Sequence, residues 1–383
     1  MSDGEKPTDK RTKDMLEGGR PQFLFVLDET RYELIRELEC RGNGEVLVLA
    51  RRSVQRAPAG SVAIRSLRSP SQFMNRQRLV DQVRLAFLLH HPAIAQVHHL
   101  KIHQGEPHVI MEYVDGPSLD TVLNLVTMLE RTVSPSFALY IGAEVADALH
   151  HAHTLRDDQG LPLGIIHRDV SPRNICLEAH GAVKLTHFGA AYSLMVGREE
   201  TPHLLLKGDV AYASPEYLNG QNLAPSSDVF SLGLVLVELL TGRHLLNVED
   251  AGGARSLFLR PDDQEPRPEE SPSLPFALMR TLIRRYGPED VEQAVRGLPE
   301  ALKAIIHKAL MRDPAQRYPT AAEMSQALYT CLADMPQPYG RKEAREEVSR
   351  LIADASAHRD RLELLQQEIF PEVMEEHELP SRP

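Results

Sequence analysis

An imidazole, a carboxylate and a carboxamide stand close together in the string HRDVSPRN at 167–174. Side chains of these types can accept a proton, bind a hard cation or orient a polar substrate. The string follows a long apolar stretch with helical spacing and precedes two short apolar runs, ICL and VKL. We therefore expect a polar site where a helix gives way to a pair of short strands.

Two further groups of histidines are candidates for metal binding. Neither group has the fixed spacing of a ligand set, so we interpret both as solvated or hydrogen-bonded and predict no metal site. The groups are His98, His99, His103 and His108 on adjacent predicted strands, and His150, His151 and His153 on a predicted helix. Cys40, Cys176 and Cys331 lie far apart without a paired spacing, which argues against a disulfide framework and favours a reducing, cytoplasmic compartment.

Composition and charge disfavour several classes of function. With 383 residues, of which 42% are hydrophobic, the chain can bury a sizeable core. A net charge of -11 disfavours nucleic acid as a partner, because neutralising phosphates requires a surplus of Lys and Arg. The longest apolar run, Leu232 to Leu240, contains Glu238 and is too short to span a bilayer, and the first residues lack the apolar core of a signal peptide. We expect a soluble cytoplasmic protein, not bound to membranes, whose partners are other proteins.

The predicted elements divide the chain into a strand-rich part and a helix-rich part. Residues 1–27 are predicted to be an arm, in which QFLFVL is either a short strand or an anchoring segment. Residues 28–113 contain a hairpin, a third strand, a helix over 72–90 and a strand at VIMEYV. Residues 114–335 are mainly helical with a Pro/Glu-rich loop at 260–275, and 336–383 form a helical tail outside the main domain. The predicted class is α+β with two unequal lobes.

The motifs around HRDVSPRN occur in a characteristic order. HFG at 187–189, SPE at 214–216, SSDVFSLG at 226–233 and RDPAQRY at 312–318 follow it, and VAIR at 62–65 and MEYVDG at 111–116 precede it. In this order the set resembles the motifs of protein kinases, and the likeness is greatest to bacterial Ser/Thr kinases of the myxobacterial type. The resemblance covers roughly residues 30 to 335. It implies a bilobal kinase fold with a small β-rich N-lobe and a larger helical C-lobe.

The resemblance assigns a role to each matched residue. Asp169 would accept or orient the proton of the acceptor hydroxyl, and Asn174 would hold one of two metal ions. The other matched residues would hold the fold together: Glu216 paired with Arg317, Asp228 capping the loop of His167 and Arg168, and Phe188 packed on His167.

Three departures affect the groups that handle metal and phosphate. His187 replaces the aspartate that brings the principal magnesium, and imidazole is a poor ligand for that hard cation. Arg65 replaces the compact lysine of the third strand, and the glutamate that would pair with it falls on Gln82. Together the three changes predict weak clamping of a metal-bound triphosphate.

Further departures lie in the hairpin that covers the phosphates. When its glycine motif is registered on Val46, the three glycine positions fall on Glu39, Arg41 and Gly44. Side chains at the first two positions block close approach of backbone to phosphate, and Glu39 adds negative charge there.

Two departures lie on the acceptor side. The usual lysine two residues after Asp169 is Ser171, and the usual threonine of the activation segment is Asp209. An acidic group at that position is expected to face Asp169 and repel it.

Together these departures predict a pseudokinase that acts as a regulatory or scaffolding partner in a phosphorylation network, with active Ser/Thr kinases among its partners. The alternative is a weak but genuine Ser/Thr kinase. A third interpretation makes the chain a substrate of active kinases, modified at Thr201 or Ser193, with Arg168 receiving the phosphate.

No cofactor is required by this interpretation, although ATP could still bind weakly and largely without magnesium. Val46, Ala63 and Cys176 could enclose an adenine against the hinge at Glu112 to Val114.

The tail has a helical apolar stripe formed by Val348, Leu351, Ala355, Leu362, Leu365 and Ile369. Docking of this helix on its own domain and contact with a partner are both open at this point, and we expect it to contribute to partner contact.

Overall fold

The computed structural model describes residues 22–27, 29–40, 45–55, 57–67, 83, 85–103, 106–188, 191, 209–246 and 276–369. Several predicted features lie outside these residues. They are the turn at 41–44, most of the helix over 72–90 with Gln82, the segment with Ser193 and Thr201, and the loop at 260–275. In the described part of that helix, Val83, Leu85 and Ala86 are helical.

The first lobe is one curled antiparallel sheet with the strand order β1-β2-β3-β4-β6-β5. Its strands are β1 (Gln22–Leu27), β2 (Thr30–Cys40), β3 (Glu45–Val54), β4 (Ala57–Leu67), β5 (Val97–His103) and β6 (Glu106–Glu112). The predicted hairpin is confirmed as β2 and β3, and the third strand as β4.

The boundary predicted after residue 27 is wrong, because β1 belongs to the sheet of the first lobe. Phe25 is buried inside the curled sheet, whereas Phe23 and Val26 are exposed. The Phe25 ring contacts the rings of His103 and His108, at centroid distances of 5.7 and 5.2 Å. Burial of one large aromatic ring against β5 and β6 favours the strand over a free arm.

The second lobe is mainly helical. It consists of α1 (Leu119–Met128), α2 (Pro135–Thr154), the hairpin β7 (Ile175–Leu177) and β8 (Val183–Leu185), α3 (Pro215–Leu218), α4 (Pro225–Thr241), α5 (Phe276–Arg285), α6 (Pro288–Ala294), α7 (Glu300–Ala309), α8 (Ala321–Ala333) and α9 (Arg341–Ile369).

Two long helices, α2 and α4, lie at the centre of this lobe. Both are apolar on nearly all sides, which is the pattern of a helix surrounded by others. Pro135 and Pro225 occupy the first helical positions, where a missing N–H costs nothing. No helix of the described ranges is long and apolar enough to cross a membrane.

The tail helix α9, predicted to lie outside the main domain, packs on the second lobe. Its apolar stripe continues the core of the lobe through Ala344, Val348, Leu351 and Ala355, all of them buried. The side chains of the later stripe residues Leu362, Leu365 and Ile369 lie outside the described residues. Residues spaced three and four apart form one face of a helix, and here the lobe covers the first half of that face.

Candidate functional site

The loop at 167–174 is held by the buried carboxylate of Asp228, at the start of α4. Its two oxygens accept hydrogen bonds from the backbone N–H groups of His167 (2.8 Å) and Arg168 (2.9 Å), and His153 Nε2 lies 2.8 Å from Oδ2. Burial alone would raise the pKa of Asp228, but these donors hold it below its ordinary value. This is the capping role that the resemblance implies for Asp228.

The His167 ring is wholly buried and joins two parts of the site. It packs edge-on against Phe188 at a centroid distance of 4.5 Å, and its Nε2–H donates to the carbonyl of Thr186 at 3.0 Å. Its Nδ1 accepts from the backbone N–H of Asp169 at 3.2 Å. Burial lowers the pKa of His167, so the ring is neutral when it makes both contacts.

Asp169 lies at the junction predicted for the polar site. Its Oδ1 accepts a hydrogen bond from the backbone N–H of Asp209 at 2.8 Å. The Asp209 carboxylate instead accepts from Ala211 N–H at 3.0 Å and caps the short turn that follows. Burial raises the pKa of Asp169, and the charge of Asp209 adds only the weakest contribution in the same direction. The backbone N–H of Asp209 thus stabilises the Asp169 carboxylate. The expected repulsion between the two carboxylates is a smaller effect.

Asn174 is tied to the same loop. Its side-chain amide donates to the carbonyl of Asp169 at 2.8 Å and approaches Ser171 Oγ at 3.4 Å. Ser171 is buried, so the position that the resemblance gives to a lysine carries no cation reaching the cleft. The carboxamide oxygen of Asn174 is a neutral candidate ligand.

His187 has a left-handed backbone, with φ of 64°. Aspartate, asparagine and histidine enter this region more readily than most residues, so an imidazole fits where the resemblance places a carboxylate. Its Nδ1 lies 2.8 Å from Thr186 Oγ1, whose own hydrogen is donated to the carbonyl of Asn174 at 3.1 Å. Nδ1 can therefore act as the donor in that contact.

Arg65 and His187 line one small cavity between the lobes, behind Met111. Val83, Ile94 and Phe188 are among its apolar walls. Arg65 lies on β4 and is only 7% exposed. The cavity thus places a guanidinium and an imidazole where the resemblance implies an ammonium and a carboxylate.

The residues that the resemblance assigns to the adenine side of the cleft lie on three strands. Val46 and Ala63 are buried on β3 and β4, and Cys176 lies on β7 in the other lobe. Burial raises the pKa of the Cys176 thiol to about 11, so it is a packing group rather than a nucleophile. Glu39 lies on β2 opposite Leu47, but its side chain, like Arg41 and Gly44, falls outside the described residues.

The hinge residue Glu112 is anchored by a residue that the sequence reasoning missed. Lys184 Nζ on β8 lies 2.7 Å from Glu112 Oε1, and the backbone N–H of Gln96 donates to Oε2 at 2.9 Å. Both groups bind the side chain of Glu112, so this residue joins β6 of the first lobe to β8 of the second. The signal for Lys184 was a single cation inside the apolar run VKL.

A second missed group lies on the acceptor side, where Tyr212 OH donates to the Glu238 carboxylate. His244 packs edge-on against Tyr212 at a centroid distance of 4.9 Å. Burial raises the pKa of Glu238 and lowers that of His244 to about 4. The available signal was Glu238 itself, an acid inside the apolar run of α4.

The donor set does not fit a magnesium ion well. Within the described part of the chain, no group of three His, Cys, Asp or Glu side chains could hold a metal ion. His187 supplies nitrogen, and Asn174 supplies one neutral oxygen. Magnesium binds carboxylate and phosphate oxygens and gives up its water reluctantly.

Glu216 and Arg317 form a buried ion pair that joins α3 to the loop before α8. Arg317 donates from Nη1 and Nη2 to the two carboxylate oxygens of Glu216, at 2.7 and 2.9 Å. Ser227 Oγ adds a third donor at 2.7 Å, and the guanidinium lies over the Phe230 ring at 4.7 Å. This is the pair that the resemblance implies.

Comparison with known proteins indicates a family for this chain. A family model described as "Protein kinase domain" matches residues 38–330. The chain is 32% identical to a protein named tyrosine-protein kinase MasK of Myxococcus xanthus over 256 residues, which are 66% of this chain and 35% of that protein. It is 31% identical to serine/threonine-protein kinase PknB of Mycobacterium tuberculosis over 304 residues, 77% of this chain and 42% of that protein.

A third relative, serine/threonine-protein kinase PrkC of Bacillus subtilis, is 30% identical over 78% of this chain and 40% of its own length. The chain thus spans about two-fifths of the length of these curated relatives. Among solved structures, the kinase domain of Mycobacterium tuberculosis PknI matches 80% of this chain and 97% of its own, with a TM-score of 0.50 and 22% identity. That last likeness concerns the fold alone.

Proposed function

This chain belongs to the protein kinase family, and from that premise we propose that it is a pseudokinase, a regulatory or scaffolding partner in a bacterial Ser/Thr phosphorylation network. The observation that carries the proposal is His187, an imidazole at the position where the family motif has a metal-binding carboxylate.

The loss at His187 affects the largest electrostatic contribution to phosphoryl transfer. The reaction needs the phosphates clamped, the charge on the transferred group neutralised and the acceptor aimed in line. A neutral imidazole brings no negative charge to a dication, and Asn174 alone offers a neutral oxygen. Without a bound metal, the neutralisation of the charge that develops on the phosphates would fall to Arg65.

The phosphate side supports the same proposal. Arg65 is buried beside His187 and lines the cavity behind Met111. A planar guanidinium held there is a poor substitute for a flexible ammonium that must reach two phosphates. Any nucleotide would therefore bind weakly, through the adenine pocket and direct contact with cations, and largely without magnesium.

The intact scaffold indicates that the fold is under selection, which supports a binding function. Asp228, His167, Glu216 and Arg317 keep the contacts described above, each with short hydrogen bonds. Buried charges that lose a partner destabilise a fold strongly, so a sequence drifting without selection would not keep these pairs. We propose that the surface of this retained fold binds cytoplasmic proteins, active Ser/Thr kinases among them.

A weak Ser/Thr kinase is the second candidate, and the geometry of Asp169 is what favours it. The carboxylate is positioned by Asp209 N–H and the loop is tied by Asn174, so the base side of the reaction is assembled. Modification of the chain at Thr201 or Ser193 by another kinase is a third proposal, for residues outside those described.

Activity measured beside a matched variant separates these candidates. We expect the purified full chain, given radiolabelled ATP with magnesium or manganese, to label neither itself nor a generic acceptor above the level of Asp169→Ala. Asp169→Asn, which keeps the shape and the hydrogen bond from Asp209, serves as the second control. Incorporation that the wild-type chain shows and both variants lose would overturn the pseudokinase proposal in favour of the weak kinase.

A further inference from the structure

We propose that α9 is a strap that sets the position of the cleft floor, so that a partner that pulls α9 off the lobe loosens the nucleotide cleft. The link is the β7–β8 hairpin, which touches α9 at its turn and carries Cys176, the residue that the resemblance places at the floor of the cleft. The inference holds whether or not the domain transfers phosphate, because it concerns the hairpin and not the chemistry.

The first step is the contact between α9 and the turn of the hairpin. Gly181 has φ of 91°, and a Cβ placed there would lie 1.9 Å from the carbonyl oxygen of Arg341, the first residue of α9. The two backbones therefore approach as closely as glycine permits. On its other side the Gly181 carbonyl accepts a hydrogen bond from Tyr140 OH of α2 at 3.0 Å. The turn is held between α9 and α2.

The second step is what holds α9 in place. The carboxylate of Glu347 accepts hydrogen bonds from Ser134 N–H and Ser134 Oγ, both at 2.7 Å, and from Tyr339 OH at 2.6 Å. Ser134 is the N-cap of α2, so Glu347 places a negative charge at the positive end of that helix. Together with the buried Val348 and Leu351, Glu347 fixes the first half of α9.

The third step leads from the turn to the hinge. Ala179 N–H donates to the carbonyl of Asp115 at 2.7 Å, and Leu177 N–H donates to that of Pro117 at 2.9 Å. A Cβ on Gly116 would lie 1.9 Å from the Leu177 carbonyl oxygen, so hinge and hairpin are also in close backbone contact. The outer half of the hairpin is thus held between α9 and the segment that leaves the hinge.

The last step leads from the hairpin to the other lobe. Leu185 N–H donates to the Ala93 carbonyl at 2.8 Å, and Ala95 N–H donates to the Leu185 carbonyl at 3.0 Å. Asn174 directly precedes β7, and His187 follows β8. A two-stranded hairpin with strands of three residues depends on its surroundings for its position, and the contacts at its turn are one part of those surroundings. The family match ends at residue 330, before α9 begins, so this contact is an addition to the matched domain.

Hydrogen–deuterium exchange of the full chain tests the strap. We compare wild type with Glu347→Ala, which removes the acceptor for Ser134 and Tyr339, and with Leu351→Glu, which forces a charge into the buried stripe. Glu346→Ala is the matched control, because Glu346 is exposed and adjacent on the same helix. In both strap variants we expect exchange to rise about tenfold in α9 and also at residues 175–187, with the control unchanged.

The thiol of Cys176 supplies a second readout at the cleft floor. Its rate of alkylation, followed by mass spectrometry of the labelled peptide, should rise in the strap variants and not in Glu346→Ala. Faster exchange of α9 with unchanged exchange at 175–187 and unchanged alkylation of Cys176 would overturn the coupling. Unchanged exchange of α9 itself in the variants would overturn it too, since Glu347 and Leu351 would then not hold the helix. Should Leu351→Glu fail to fold, Glu347→Ala alone decides between these outcomes.

Discussion

At the scale of single residues, the site differs from the family motif by exchanges of residue type. His187 occupies the left-handed conformation with φ of 64°, and His167 and Phe188 pack beside it as the family scaffold requires. A left-handed position accepts Asp, Asn or His far more readily than a β-branched residue. This backbone conformation therefore accommodates His187, and we expect the exchange to affect metal binding.

Restoring the carboxylate should restore the effect of magnesium. For wild type we expect the thermal shift caused by ATP to be small and equal in magnesium and in EDTA. For His187→Asp we expect a larger shift in magnesium only, approaching the stabilisation of about 2.7 kcal/mol at 100 times the dissociation constant. His187→Asn, which suits the same backbone without the charge, is the control. A magnesium-dependent shift in wild type would contradict this prediction.

At the scale of elements, distant segments are joined through a few buried polar groups. Arg317 is 1% exposed and binds Glu216 while donating to the carbonyls of Met311 and Ser226, at 2.7 and 2.9 Å. It joins α3, the start of α4 and the loop before α8. Because Ser227 and the ion pair outweigh the effect of burial, the pKa of Glu216 stays below its ordinary value.

Removing the arginine should destabilise the domain strongly. Arg317→Met leaves the Glu216 carboxylate buried without its partner, so we expect the free energy of unfolding to fall by about 3–5 kcal/mol in urea titrations. Adding Glu216→Gln should recover part of that loss, because the uncompensated charge disappears. Arg131→Met, which removes an exposed pair with Asp354, is the matched control and should change stability by about 1 kcal/mol or less. Equal losses for the two Arg→Met variants would refute the role of burial.

At the scale of the whole molecule, neutral histidines are spread through both lobes. Burial is the main cause that lowers the pKa of His98 and His108 in the sheet, and of the three helical-lobe histidines His151, His167 and His244. In the unfolded chain each has an ordinary pKa of about 6.5. Below that pH the unfolded state binds more protons than the folded state, so folding stability falls as the pH falls.

We expect the free energy of unfolding to decrease as the pH is lowered from 7.5 to about 5, measured by urea titration. For His244, whose folded pKa is about 4, the contribution extends from about pH 6.5 down to the end of this range. Asp169 and Glu238, whose pKa values are raised, act in the opposite direction. His244→Asn, which keeps an acceptor for Leu246 N–H, should flatten the slope by up to about 1.4 kcal/mol per pH unit. A slope unchanged in this variant would contradict the assignment.

The sequence by itself determined the family, the two lobes and the residues of the catalytic loop. Motifs such as HRDVSPRN and HFG are local strings, and their order along the chain identifies the family without any structure. Strands β2 to β4 and helices α2 and α4 follow from local periodicity in the same way, because side chains two or about 3.6 residues apart share a face.

Only the tertiary structure decided which surfaces these elements cover. The sequence left open whether QFLFVL is a strand, and the contacts of Phe25 with His103 and His108 place it in the sheet. It also left open whether α9 docks on its own domain, and the buried stripe of α9 shows that it does. The residue types likewise did not predict the contact of Lys184 with Glu112. Nor did they predict that Asp209 presents its backbone N–H, and not its carboxylate, to Asp169. Each of these contacts joins segments far apart in the chain or depends on the orientation of one peptide group. Local residue spacing predicts neither.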